Sequence, residues 1–162
     1  MTGEDRADFQ AEAEEGITLC RSGNWEEGLP RLRRVVRAEE KGLLVGSPPP
    51  LFYSYFGLGI AQYEKKIREG KRMCEKAAAR AFFQPEAYLN LALVSMLDSD
   101  RRQAVAAVQK GLAIDPDHTR LQRLADRLGT RRKPVIKFLS RNNILNRILG
   151  RWRHRRQTET KD

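Results

Sequence analysis

The sequence predicts an all-α protein built from stacked antiparallel helix pairs, and three observations support this fold class. Small residues recur in pairs 12 or 13 positions apart, a spacing that places one on each helix of a hairpin. The apolar residues between them recur every three or four positions, which is the period of a helix and not of a strand. Strand-like runs of β-branched and aromatic residues are nearly absent from the 162 residues.

The first predicted helix pair covers residues 9–42. Gly16 and Gly28 stand 12 positions apart, one on each helix, where two backbones must approach closely. A Ser-Gly-Asn turn at 22–24 separates the two helices. The Asn of this turn, together with Glu27, predicts an N-terminal cap for the second helix.

The second predicted pair, residues 50–84, is less regular than the first. Gly57 and Gly70 are 13 positions apart, so we expect its turn to contain one extra residue. Phe82 stands where a proline would close the unit. An insertion at 42–50 precedes this pair, and its glycines and prolines predict a loop or an extended linker.

The third predicted pair, residues 85–118, is the most complete. Asp100 ends its turn and, with Gln103, predicts a capping box for the second helix. An Asp-Pro-Asp sequence at 115–117 predicts the end of that helix. The residues that match a 34-residue helical repeat are Tyr88, Leu91, Ala92, Ser95, Ala104, Val108 and Pro116.

Residues 9–118 therefore resemble the tetratricopeptide repeat family, whose pattern is W-x2-L-G-x2-Y, then A-x3-F, then P. In the third pair Tyr88 stands in place of the Trp, while Ser95 and Val108 replace the Tyr and the Phe. The resemblance implies a right-handed superhelical stack of helix pairs, an α-solenoid. It also implies a scaffold or adaptor that binds a protein or peptide partner and catalyses no reaction.

Two further segments flank the predicted repeats. Residues 1–8 are an acidic extension without an apolar core, so we expect no signal peptide. Residues 119–129 carry apolar residues at helical spacing and end at Gly129, which predicts a helix that caps the last apolar face. We therefore expect one repeat domain over residues 9–130.

The positive charge is concentrated in a C-terminal tail, residues 131–162. The chain has a net charge of +10, yet residues 1–118 contain 17 Lys or Arg against 18 Asp or Glu, whereas residues 119–162 contain 14 against 3. Apolar residues at helical spacing among the arginines predict a basic amphipathic helix. The residues assigned to this tail surface are Arg141, Ile144, Leu145, Arg147, Ile148, Leu149, Arg151, Trp152, Arg153, Arg155 and Arg156.

Several interpretations of the tail stay open. Its apolar side can pack on the repeats, or it can contact an anionic membrane or a partner protein. Nucleic acid is the less favoured partner, because no fold fingerprint of a DNA- or RNA-binding domain is present. No run of residues is long and apolar enough to span a bilayer. We therefore expect a cytoplasmic protein, with attachment to the inner membrane surface and homodimer formation as open alternatives.

The family resemblance also implies a concave groove lined by the first helix of each pair. This groove is mostly apolar, which suits an amphipathic helix or an extended apolar peptide. Some family members hold a C-terminal carboxylate with Lys, Arg and Asn; here Asn90 alone fits, so we expect no such clamp. An alternative is that the insertion or the tail buries several of these residues. The predicted groove residues are Ala13, Glu14, Ile17, Tyr55, Leu58, Leu89, Asn90, Leu93 and Leu97.

Residues for catalysis or metal binding do not form any recognisable pattern. His118 and His154 are the only histidines, and neither has a nucleophile or metal ligands at a functional spacing. Cys20 and Cys74 fall on apolar sides of predicted helices, which favours two buried free thiols over a disulfide. We therefore expect no enzymatic activity, cofactor or metal.

Overall fold

A computed structural model describes residues 3–43 and 46–129, with side chains from Phe9 onward. The predictions for the tail, residues 131–162, concern residues outside this part of the chain. The described residues form helices and loops without a strand. The helices are α1 (Gly3–Ser22), α2 (Trp25–Glu40), α3 (Phe52–Tyr63), α4 (Ile67–Arg80), α5 (Pro85–Leu97), α6 (Arg101–Ile114) and α7 (Thr119–Arg127).

The helices pack as three hairpins, α1–α2, α3–α4 and α5–α6, and α7 packs against α6. The first helices form a row in which α3 contacts both α1 and α5, while α2 packs on α3 and α4 packs on α5. Each hairpin therefore buries its apolar sides against the next hairpin. The predicted all-α stack of antiparallel helix pairs is confirmed.

Glycines allow the two helices of a hairpin to cross at very short distance. A Cβ atom added to Gly70 would lie 2.2 Å from the carbonyl oxygen of Gly57, and one added to Gly57 would lie 2.6 Å from the carbonyl oxygen of Gly70. In the first hairpin, a Cβ atom on Gly28 would lie 3.0 Å from the Gly16 carbonyl oxygen. The glycine pairs therefore mark the helix crossings that their spacing predicts.

The helix starts agree with the predicted caps, with one difference. The Asn24 side chain accepts a hydrogen bond from the Glu27 backbone N–H at 3.4 Å, and Asp100 accepts one from the Gln103 N–H at 3.0 Å. The Gln103 side chain does not complete the capping box. It accepts a hydrogen bond from the Ser95 hydroxyl and so connects α6 to α5.

The first and last helices define the two ends of the described stack. Helix α1 begins at Gly3, so residues 3–8 of the predicted acidic extension belong to the first helix. At the other end, Gly129 follows α7 with a φ of +61°, a conformation that favours glycine, as expected for a helix stop. The helices belong to one compact unit, residues 1–128.

Both cysteines are buried free thiols, as predicted. Burial raises the pKa of Cys20 to about 12 and also raises the pKa of Cys74, because a buried site disfavours the thiolate. Cys20 Sγ would lie 2.6 Å from a Cβ atom on Gly28, and Cys74 donates a hydrogen bond to the Ser54 carbonyl oxygen. The two thiols therefore fill the space at the helix crossings.

Replacement of Gly70 tests the close crossing of α3 and α4. Alanine has the higher helix propensity by about 1 kcal/mol, but the clash of its Cβ atom with the Gly57 backbone should dominate. We expect Gly70→Ala to lower the free energy of unfolding by about 1–3 kcal/mol in urea denaturation. Gly111→Ala is the matched control and should cost less, because its nearest contact is the movable Leu121 side chain. A stabilising Gly70→Ala would contradict the described crossing.

Candidate partner-binding face

Helix α3, the middle one of the three first helices, has almost no solvent-exposed surface. Every α3 residue from Phe52 to Ala61 is buried, because α3 contacts α1, α2, α4 and α5. Only the last residues of α3, Gln62 and Tyr63, are exposed. The side chains available to a partner on this row therefore come chiefly from α1, α5 and α7, and we call this surface the first-helix face.

The nine predicted groove residues divide into buried and accessible ones. Glu14 and Leu97 are exposed, and Leu93 is half-buried. Only these three can contact a partner without a change in packing, and whether a partner binds them stays a prediction. The six buried residues are Ala13, Ile17, Tyr55, Leu58, Leu89 and Asn90.

The predicted groove residue Asn90 is completely buried between α5 and α3. Its Nδ2 donates a hydrogen bond to Ser54 Oγ at 3.0 Å. Its Oδ1 has no hydrogen-bond partner among the described residues. An unpaired buried carbonyl oxygen costs free energy, so Asn90 serves the helix packing at this position and leaves part of its bonding capacity unused.

One carboxylate, that of Glu86 at the start of α5, accepts hydrogen bonds from α1 and α3 and has a cation of α7 nearby. Arg21 at the end of α1 binds it with both arms of the guanidinium group: Nε lies 3.2 Å from Oε1, and a terminal nitrogen lies 2.8 Å from Oε2. The Tyr55 hydroxyl on α3 donates to Oε1 at 2.5 Å. Arg120 on α7 approaches Oε1 at 3.9 Å. We call these four residues the Glu86 cluster.

The Glu86 cluster connects α1 to α5 through the contact between Arg21 and Glu86, and the buried Tyr55 of α3 takes part in this contact. The Arg21 and Arg120 side chains are 49% and 48% exposed, whereas Glu86 is only 18% exposed. Burial and the hydrogen bond to Glu86 raise the pKa of Tyr55, so its hydroxyl stays neutral. The hydrogen bond with Tyr55 and the nearby Glu86 charge raise the pKa of Arg21. The cluster therefore holds two cations against one carboxylate.

Helix α7 adds a line of arginines to the same side of the molecule. Arg120, Arg123 and Arg127 follow each other at spacings of three and four, which places them on one side of a helix. All three are exposed, while Leu121 and Leu124 on the adjacent side of the helix are buried. Because Arg120 points toward Glu86, we place this α7 arginine stripe on the first-helix face.

The arginines of the α7 stripe are not neutralised by the described residues. Arg120 has only the distant contact with Glu86, and neither Arg123 nor Arg127 has an acidic partner within residues 9–43 and 46–129. Leu93 on α5 lies one repeat length, 34 residues, before Arg127. From this spacing we expect Leu93 to lie near Arg127, as Glu86 lies near Arg120.

On a second basic surface, along α2, most of the arginines are neutralised by acidic partners. An open groove there is lined by Trp25, Leu29 and Tyr63 together with four arginines. Three of these arginines are paired with glutamates of α1 or of the α3–α4 turn, so the groove has little free positive charge. The pairs are Arg31–Glu15, Arg33–Glu64 and Arg34–Glu12.

The Glu86 cluster was not predicted from the sequence, because each of its charged residues resembles an ordinary solvated side chain. One signal was present: Glu86 and Arg120 are 34 positions apart, which is one repeat length. Residues at equivalent positions of successive repeats lie side by side, so this pair of opposite charges could have been found. The contact of Arg21 with Glu86 could not have been found in this way, because the two residues belong to the first and the third helix pair.

No group of three or more metal-ligating side chains occurs in the part of the chain that the structure describes. The same described residues contain no helix that is both long enough and apolar enough to cross a membrane.

Comparison with solved structures identifies the repeat type. The chain is similar to the tetratricopeptide repeat domain of Arabidopsis OM64, with a TM-score of 0.57, 13% sequence identity, and coverage of 75% of this chain and 93% of that one. It is also similar to the second such domain of human RPAP3, solved with the HSP70 peptide SGPTIEEVD, with a TM-score of 0.54, 12% identity and coverage of 74% and 93%.

The chain has a tetratricopeptide repeat fold. No protein-family model and no curated protein matches its sequence. Stacks of this repeat type curve and present an extended concave surface. Here the first helices α1, α3 and α5 carry three members of the Glu86 cluster, and α7 carries the fourth together with the arginine stripe.

Removal of the Tyr55 hydroxyl tests the Glu86 cluster. We expect Tyr55→Phe to lower the free energy of unfolding by about 1.5–3 kcal/mol, because a hydrogen bond to a sheltered carboxylate is lost. Tyr63→Phe is the matched control, since Tyr63 is 51% exposed, and it should change the stability by less than about 0.5 kcal/mol. Equal effects of both substitutions in urea denaturation would contradict the described contact.

Proposed function

We propose that this chain is a non-catalytic adaptor that binds a segment of a partner protein on its first-helix face. The observation that supports this proposal is the combination of accessible leucines on α5, Leu93 and Leu97, with exposed arginines on α7 that have no ion pair among the described residues. An apolar strip with charged neighbours suits an amphipathic helix or an extended peptide.

A peptide is the partner class that the structural comparison supports. The second tetratricopeptide repeat domain of RPAP3 forms a complex with an HSP70 peptide. At 12% identity this likeness concerns the fold, so it supports a peptide as partner and does not identify which one. For this chain we expect the peptide to contact the accessible side chains of the first-helix face, because six of the nine predicted groove residues are buried in the helix packing.

Selection from a random peptide library by the full-length protein tests the proposed face. We expect the enriched peptides to lose affinity by about tenfold or more for Leu93→Asp/Leu97→Asp, because two central apolar contacts are lost. Leu43→Asp/Ile114→Asp is the matched control: both residues are similarly exposed, at 38% and 39%, but lie outside the first helices. Peptides that bind the Leu93/Leu97 variant as tightly as the native chain would disprove the proposed face.

The charge asymmetry of the sequence motivates a second candidate function, a peripheral anchor. In this case the basic tail, residues 131–162, binds an anionic membrane surface and the repeats are carried as cargo. Each Lys or Arg near an anionic surface contributes about 1 kcal/mol, and this attraction is screened by salt.

Vesicle binding by the full-length protein distinguishes this second candidate. We expect binding to phosphatidylserine-containing vesicles that weakens with salt, and a loss of about tenfold or more for Arg153→Glu/Arg155→Glu. Arg68→Glu/Arg72→Glu changes the net charge equally on α4 and should have a smaller effect. Salt-insensitive binding, or an equal loss in both variants, would count against the anchor.

A further inference from the structure

We infer that the first-helix face recognises a peptide rich in aspartate or glutamate side chains, and that Glu86 occupies part of this site when no partner is present. The inference deepens the proposed function and rests on it, because it assigns the chemistry of the partner at the same surface. It follows from the Glu86 cluster, the α7 arginine stripe and the leucines beside them.

The Glu86 cluster already has the geometry of a carboxylate site. Hydrogen-bond donors from α1 and α3 converge on one carboxylate, Arg21 binds it at both of its oxygens, and Arg120 of α7 stands 3.9 Å away. Such a bidentate arrangement is strong and selective for planar carboxylates. Since Arg21 and Arg120 remain about half exposed, a second carboxylate can reach both guanidinium groups from solvent.

The α7 arginine stripe indicates several negative charges in the partner. Arg120 and Arg127 are seven residues apart, so the stripe extends over roughly 10 Å along the helix. A single terminal carboxylate would satisfy only one end of this stripe. A run of acidic side chains would neutralise its whole length, and apolar residues between them would contact Leu93 and Leu97.

Glu86 therefore acts as an internal competitor. An arriving carboxylate has to share or replace the contacts of Glu86 with Arg21 and Arg120, and the negative charge of Glu86 repels it. Removal of this charge while the shape of the side chain is kept should strengthen acidic-peptide binding. The contact between α1 and α5 then depends on the partner in place of Glu86.

The test measures the affinity of the full-length protein for a short fluorescent peptide of glutamate and leucine with an amidated C-terminus. The amide removes the terminal carboxylate, so only side-chain carboxylates remain. We expect Glu86→Gln to tighten binding by about fivefold or more, a typical coupling between two sites. Glu40→Gln is the matched control, because it removes one exposed carboxylate of α2, outside the first-helix face, and it should change the affinity by less than about twofold.

A second variant keeps the inference testable if Glu86→Gln perturbs the fold. Arg123→Gln/Arg127→Gln removes two exposed charges without a described ion pair, and it should weaken binding of the acidic peptide by about tenfold or more. A peptide with glutamine in place of glutamate should bind weakly to all variants. Equal binding of the glutamate and glutamine peptides, or unchanged affinity in Glu86→Gln and Arg123→Gln/Arg127→Gln, would overturn the inference.

Two other outcomes separate this inference from the proposed function. If the glutamine peptide binds as well as the glutamate peptide and Leu93→Asp/Leu97→Asp abolishes both, the face binds a partner of other chemistry, and only the inference fails. If anionic vesicles or single-stranded RNA bind more tightly than the acidic peptide and lose affinity in Arg123→Gln/Arg127→Gln, the arginines serve another anion, and the inference also fails.

Discussion

The burial of α3 on every side is the constraint on which the rest of the structure depends. Ten consecutive residues, Phe52 to Ala61, are buried because four helices pack around them. Gly57 makes this possible, since its lack of a side chain lets α4 cross at backbone contact. A helix covered in this way has few side chains that a partner can reach, so the proposed binding surface lies on the helices beside it.

The Glu86 cluster follows from this arrangement. Tyr55 on α3 is too deep to reach solvent, but its hydroxyl reaches the carboxylate of Glu86, and Arg21 covers both from α1. The cluster thus covers the packed helices at the protein surface. At the same time it leaves the guanidinium groups of Arg21 and Arg120 half exposed. The same side chains that complete the core of the stack form the charged part of its surface.

Local signals in the sequence were sufficient for the fold. Glycine pairs predicted the helix crossings, Asn24 and Asp100 predicted helix starts, and Gly129 predicted the last stop; each of these depends on neighbours close in sequence or on one repeat length. The accessible surface was harder to predict. Ala13, Ile17 and Leu89 were assigned to the groove from repeat position alone, yet their burial depends on how closely the neighbouring helices approach, which no local pattern encodes.

The central claim is that a partner peptide binds the first-helix face, with acidic side chains on the arginines of α1 and α7. The most direct measurement is NMR chemical-shift mapping of the full-length protein during titration with the amidated glutamate–leucine peptide. The account predicts the largest shifts at the end of α1, along α5 at Leu93 and Leu97, and at the arginine Nε signals of α7. Shifts that cluster on α2, α4 and α6, or only within residues 131–162, would contradict it.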